Sequence, residues 1–279
     1  MSITLSDLTY RLAKALNIVS EGTATSGSQT TIGDNVERIA EADDYWIGGT
    51  AWILYDAGGA GAAPQGEYAY ISDSVQSTGV ITLRSPGFTV AVAAGDKYAL
   101  GRKRYPLQLL IQKINEAFGV VEKTDTTTIA IVDGQLEYSL PADVYDLKEV
   151  WLQTDLDANN WQRVYDYDVQ KSATGTANKL VFRSQFLAGY SVKVVYSTYH
   201  QTLRAYTDKL DDSIHADKIV WNAAVGCLLW RKSRVGDSDT SVNDLLNFYQ
   251  NLAAKKESEA QQLISKRSSK TIHPVFRNR

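Results

Sequence analysis

The side chains able to do chemistry are few in this chain and poorly spaced for it. Its three histidines, His200, His215 and His273, share no helical or strand interval and have no cysteine beside them. A zinc site needs ligands at recognisable intervals. The single cysteine, Cys227, sits in the apolar run "KIVWNAAVGCLLW", where a thiol reads as a small buried hydrophobe rather than a nucleophile. The loop "GGAGAAPQG" lacks the Gly-Lys-Ser/Thr with which a phosphate loop holds nucleotide and magnesium. "GDSDTSVND" starts like a calcium loop, with Asp237, Asp239 and Ser241 alternating. Its twelfth position is Phe248, however, where a bidentate acid is required, and helix capping accounts for it better. Acidic pairs occur in "EADDYW" and "KLDDSIHAD". Two carboxylates can cleave a glycoside, yet no spacing singles out one pair. The sequence therefore predicts no catalytic residue, no metal and no cofactor; it does not read as an enzyme.

The aromatic residues are the other candidates. Tyr45, Trp46, Trp52, Tyr55, Tyr68 and Tyr70 crowd one early stretch. On an exposed face they would stack on sugars or on a protein partner; on alternate strand positions they would form a core.

The elements that must position these residues alternate between two textures. Residues 4–18 predict an amphipathic helix, capped by Thr4 with Asp7 and striped by Leu5, Leu8, Leu12 and Leu16. Residues 23–102 change to Gly, Ser, Thr, Ala and aromatics, with short runs "TAWILYD", "GEYAYIS", "GVITLRS" and "DKYALGR" between turn formers. That texture predicts a small all-β barrel or sandwich. Helical period returns at "YPLQLLIQKINEAFGVV", with Leu107, Leu110, Ile111, Ile114 and Phe118 on one face. A second β region covers 124–200 and opens with Asp133-Gly134, a hairpin signal between alternating runs. Two helices follow: an apolar one over 217–233, and a longer one opened by Ser241 with Asp244 and carrying Leu245, Leu246, Tyr249, Leu252 and Leu263.

The expected fold is α+β: a four-helix bundle with two β insertions. Residues 1–22 and 103–265 would form the bundle domain, including the β region 124–200. Residues 23–102 would be an inserted all-β module, and 266–279 a basic extended tail.

Charge adds an asymmetry. The chain of 279 residues has a net charge of −3, which does not suit binding to nucleic acid through phosphates. The tail "KRSSKTIHPVFRNR" holds Lys266, Arg267, Lys270, Arg277 and Arg279 and no acid. The rest carries 24 basic and 32 acidic residues. The tail is expected to dock on an acidic surface of a neighbouring subunit or of another protein of the assembly through these cations, with Pro274 and Phe276 as its apolar part. No apolar run approaches the roughly 20 residues of a membrane span, and "MSITLSDLTY" is not a signal peptide. One cysteine suits a reducing compartment. The expectation is a soluble protein made in a cytoplasm.

Within the second β region, "VDGQLEYSLPADVYDLKEVWL" is similar to a segment of the head–tail adaptor, or connector, proteins of tailed bacteriophages. There a strand ends in Leu-Pro beside an acid, turns, and restarts as "DLKEV". "HADKIVWNAAVGCLLWRKSRVGDSDTSVNDLLNFYQNLAAKKESEAQQLI" extends the likeness, since those adaptors also follow a buried Ala- and Leu-rich helix with a break, a long polar helix and a basic tail. The first β module, from "TATSGSQTTIGD" to "AAGDKYALG", resembles a β module of phage virion proteins and sets this chain apart from the smaller adaptors. The resemblance implies a structural virion protein of the neck, assembled in the host cytoplasm. It implies a ring, commonly of twelve subunits, between the portal and the tail or tail-terminator proteins. The ring would extend a channel through which DNA passes without sequence-specific binding, and would touch no membrane. The alternative is another phage tail or baseplate protein whose aromatic β module binds host glycans.

Overall fold

A computed structural model describes residues 3–118, 122–154, 160–171, 178–186, 189–212, 214–235 and 240–265. These residues hold four α-helices and fourteen strands in three antiparallel sheets. The expected four-helix bundle does not form. The chain divides into two compact units, residues 1–117 with 202–279, and residues 118–201.

The first unit begins with α1 (Leu5–Ala15). Its start is the reciprocal cap expected from the sequence: the Asp7 N–H donates to Thr4 Oγ1 at 3.2 Å and the Thr4 N–H to Asp7 Oδ2 at 3.0 Å. The helix stops where Asn17 takes φ +54°, a left-handed conformation that asparagine tolerates.

Strands β1 (Val19–Thr23), β2 (Ser26–Gly27), β3 (Thr31–Gly33), β4 (Thr50–Tyr55), β5 (Tyr68–Val75), β6 (Val80–Leu83) and β7 (Lys97–Gly101) follow. They pair in the order β1-β7-β4-β5-β6-β3-β2. The first and last of these are two halves of one extended stretch. Between them the Ala24 N–H bonds to Asp96 O at 2.8 Å and the Thr25 N–H to Gly33 O at 2.7 Å. The stretch thus pairs with β7 in its first half and with β3 in its second, and the sheet closes on itself as a small barrel. Its interior is filled by Ile32, Trp46, Ile53, Ile71, Ile81, Leu83, Phe88, Tyr98 and Leu100. The chain enters and leaves side by side, with Val19 opposite Gly101 and the Arg102 N–H bonded to Ile18 O at 3.1 Å.

The remaining helices of this unit are α2 (Leu107–Phe118, all but its last residue), α3 (Ala216–Val235) and α4 (Thr240–Ser265). Broad helix–helix contact is confined to α3 with α4 and α1 with α3. The bundle fails because α1 has two neighbours to serve. Trp52 of β4 is buried and, like most buried indoles, needs an acceptor for its N–H. It finds Thr9 Oγ1 of α1 at 3.1 Å, while Tyr10 packs 6.3 Å from the Trp52 ring. On its other flank Arg11 pairs with Asp217 of α3 at 4.0 Å, and Ala15 O accepts the Tyr249 hydroxyl of α4. Helix α2 is held at particular points instead: Asn115 both donates to Leu203 O and accepts from its N–H at 2.9 Å, and Lys113 lies along Gly226.

The second unit is built from β8 (Glu122–Ala130), β9 (Glu137–Ser139), β10 (Asp146–Gln153), β11 (Trp161–Val164), β12 (Tyr167–Gln170), β13 (Lys179–Phe182) and β14 (Ser191–Tyr199). One sheet runs β11-β10-β14-β8 and the other β12-β13-β9. Asp133-Gly134 does form a tight turn, with Gly134 at φ +72° and the Gln135 N–H bonded to Val132 O at 3.2 Å. It is not the expected hairpin, because β8 and β9 on either side belong to different sheets. The proline corner acts similarly. β9 ends at Ser139, Leu140 and Val144 turn into the core, and β10 joins the other sheet through Val150 opposite Val194. Pro141 cannot donate to a ladder, so the chain changes sheets there.

The Tyr138 hydroxyl binds the Asp-Gly turn, donating to Gln135 O at 3.0 Å and accepting from the Val132 N–H at 3.2 Å. Tyr138→Phe is expected to lower stability by about 1 kcal/mol, as loss of a buried hydrogen bond does, and to raise amide exchange over 132–135 in hydrogen-exchange mass spectrometry. Unchanged exchange there would show that the turn stands without its tether.

Candidate protein-interaction surface

The suspected chemical groups lie apart and are mostly structural. His200 stacks on Phe118 at 4.5 Å with its Nδ1 2.7 Å from Gln201 O. His215 lies in the segment leading into α3, and His273 is outside the described residues. Among the described residues no cluster of three His, Cys, Asp or Glu side chains could hold a metal, and no helix is long and apolar enough to cross a membrane. Cys227 is fully buried in α3, and burial pushes its thiol up to about 12, so it is held as the neutral thiol. Asp237 and Asp239 of the calcium-like stretch are outside the described residues. Of the "KLDDSIHAD" acids, Asp217 pairs with Arg11 at 4.0 Å.

The aromatic stretch is divided. Trp46 and Trp52 are each 1% exposed, so neither tryptophan of this stretch can form a stacking platform. Tyr45 and Tyr55 reach solvent, and Tyr45 is covered on one face by the Arg102 guanidinium at 5.2 Å.

Of the "EADDYW" acids, Asp43 and Asp44 are exposed and Glu41 belongs to a buried network inside the barrel that the sequence did not suggest. Arg38 donates through Nε to the Tyr98 hydroxyl at 2.7 Å, through Nη1 to Ser20 Oγ at 2.8 Å and Glu41 Oε1 at 3.0 Å, and through Nη2 to Glu21 O at 2.9 Å. Tyr98 in turn donates to Asp34 Oδ2, whose other oxygen accepts the N–H groups of Val36 at 3.0 Å and Glu37 at 2.9 Å. Trp46 donates its indole N–H to Glu41. Burial by itself would raise the Asp34 carboxyl. The Glu37 N–H, the Tyr98 hydroxyl, the Val36 N–H and the Arg38 charge outweigh it, so its pKa lies below the ordinary value. Every member has partners, so the network holds shape. Its only sequence signal is the i,i+4 spacing of Asp34 and Arg38 in "DNVER".

What the network holds in place is exposed. Asp34 and Arg38 anchor the turn from Asn35 into a single 3₁₀ turn at Arg38–Ala40, and that turn lifts Val36 and Ile39 into solvent, 71% and 45% exposed. Glu37, Asp43 and Asp44 are exposed around them. A second apolar surface runs along α4. The sequence placed Leu245 in the apolar stripe with Tyr249 and Leu252, but among the described side chains of α4 those that are buried are Val242, Leu246, Tyr249 and Ala253. Leu245 and Phe248, the latter 61% exposed, lie on the outer side. The tail residues expected to carry the interaction, Lys266, Arg267, Lys270, Pro274, Phe276, Arg277 and Arg279, all lie outside the described residues.

A protein with a satisfied charge network in its barrel, two exposed apolar surfaces and, among the described residues, no cluster of metal-holding side chains has the features of a binding component. The comparisons agree with that class. No curated protein matches the chain, but residues 90–273, well over half of it, match the family model described as SU10 adaptor protein. The chain belongs to that family: it is a structural adaptor of a phage, a component of the virion that works by contact with other head and tail proteins. The match takes in the last barrel strand, α2, the whole second unit, α3 and α4, and leaves α1 and β1–β6 outside it.

Proposed function

We propose that the chain assembles into a ring that connects the portal of the phage head to the tail and extends the DNA channel. Membership of the adaptor family across 90–273 carries this reading. The resemblance noted from the sequence supplies the finer terms: about twelve copies, with portal above and tail or tail-terminator proteins below. Closed rings need two different surfaces per subunit that meet head to tail, and the apolar ridge at Val36 and Ile39 and the outer face of α4 give two such surfaces on one unit. The acidic balance of the chain outside its tail suits a channel that must not grip DNA, because like charge disfavours adhesion. The barrel between Val19 and Gly101 is, in this reading, a module inserted near the N-terminus, since its two ends meet as insertion into a parent domain requires.

The test is assembly. The purified chain, alone and mixed with its portal protein, is expected to give rings by negative-stain imaging and a matching mass by mass photometry. A chain that stays monomeric and leaves the portal unbound would sink the proposal.

A further inference from the structure

The second unit has a cleft where the end of β10, strand β11 and the segment after β13 come together. Its two adjoining lobes, of about 320 and 400 Å³, share Leu152 and Phe186, and lie within the size range of small-ligand sites. The floor is held from beneath. Leu152, Val164, Phe186 and Tyr190 all pack on the core of the unit, and Phe186 stands edge-on to Phe182 at 4.9 Å. Backbone groups along this floor are already engaged. Leu152 lies opposite both Gln162 and Val192, and the Thr154 N–H bonds to Asn160 O at 3.0 Å. An added strand needs an open sheet edge, which the middle strand β10 does not give. What the cleft presents to a ligand is side chains.

Those side chains share one chemistry. The amides of Gln153, Gln162 and Gln185 line the cleft, and an amide both donates and accepts hydrogen bonds, as an alcohol does. The charges on the rim are already paired, Arg163 with Glu149 at 3.2 Å and Asp166 with Arg183 at 3.5 Å, so an ionic ligand meets no unpaired counter-charge there. Tyr165 stands at the rim, 77% exposed, with the Arg163 guanidinium over its ring at 5.2 Å; such a ring gives an apolar body and a polar tip. A sugar ring matches this set, with hydroxyls around its edge for the amides and C–H groups on its faces for the apolar floor and the tyrosine. We propose that the cleft binds a neutral oligosaccharide. The site is separate from the aromatic stretch of the barrel, whose tryptophans are buried. It is also independent of the ring reading, whose two surfaces lie on the first unit.

The test uses the labelled full-length chain on an array of neutral oligosaccharides of glucose, galactose, mannose, rhamnose and N-acetylglucosamine, with sulfated and sialylated counterparts beside them. Retention on a subset of the neutral glycans is expected, together with saturation transfer to the same glycans, free at millimolar concentration, in NMR. Tyr165→Ala, at an exposed position, is expected to weaken binding about tenfold, the scale of one lost ring contact. Gln185→Ala, also exposed, is expected to weaken it several-fold. Tyr55→Ala, exposed on the barrel, is expected to leave binding unchanged, and an unaltered urea midpoint shows that each variant is folded. Absence of both retention and saturation transfer overturns the proposal, as does retention on the acidic glycans alone. Binding that Tyr55→Ala abolishes and the two cleft variants leave intact overturns it as well, by moving the site to the barrel. Monomeric and ring-forming protein serve equally, so failure of the ring reading leaves this result standing.

Discussion

Replacing Arg38 by methionine is expected to cost the barrel about 3–5 kcal/mol, the loss seen when one partner of a buried charged pair is removed. The guanidinium is 2% exposed in its side chain and sits 4.0 Å from Asp34, itself at 1%. Taking it away leaves Asp34 charged, buried and dependent on two backbone N–H groups and one hydroxyl. Urea unfolding followed by the fluorescence of Trp46 and Trp52, both inside the first unit, measures the loss. The exposed neighbour provides the contrast: Glu37→Gln should change stability by no more than about 0.5 kcal/mol. A double variant with Asp34→Asn should cost less than the two single changes together, because the second no longer strands a charge. A loss below about 1 kcal/mol for Arg38→Met would mean that the network is dispensable. The same network sets an acid limit. The Asp34 pKa is depressed in the folded state, so its contribution is complete above the unfolded carboxylate value of about 3.9 and is lost as pH falls through the lower folded value. Asp34→Asn should flatten that acid decline.

Phe182→Ala should cost about 3–5 kcal/mol in the second unit, through lost burial and the cavity left behind. Phe182 is 1% exposed and is the centre of an aromatic group, edge-on to Tyr138 at 5.9 Å and to Phe186 at 4.9 Å. It joins residues from β9, β13 and the segment after β13, so no single neighbour can collapse into the gap. Phe182→Leu, which keeps most of the volume, should cost less than about 1.5 kcal/mol. Hydrogen exchange localises the effect: protection should fall over 122–199 and hold in the barrel. Equal costs for the alanine and leucine variants would show that the core there is loosely packed.

The sequence alone determined the local elements. Thr4 and Asp7 could be read as a cap because both donors and both acceptors lie within one helical turn. Pro141 could be read as the end of a strand because a missing N–H is a property of the residue itself. The 3.6-residue spacing of α1 and α2 and the turn at Asp133-Gly134 are local in the same sense. The family, too, was legible, because the order of these elements survives in the sequence.

Only the tertiary structure decided which element meets which. Four apolar stripes suggested a bundle, but a stripe does not say whether a helix or a sheet will cover it. α1 is shared between α3 and the barrel because Trp52 finds Thr9 across 43 residues of sequence. Asp133-Gly134 fixed a turn, while the partners of β8 and β9 were set by β14 and β13 far along the chain. Arg38 drew no notice in the sequence and is held by several bonds inside the barrel, since its acceptors, Tyr98, Ser20 and Glu21 O, come together only when the sheet closes. Leu245 carried the same apolar label as Leu246, and one helical step of about 100° placed one outside and the other within. Contacts between residues distant in sequence depend on the whole packing, and it is that packing which left Val36, Ile39 and Phe248 facing outward.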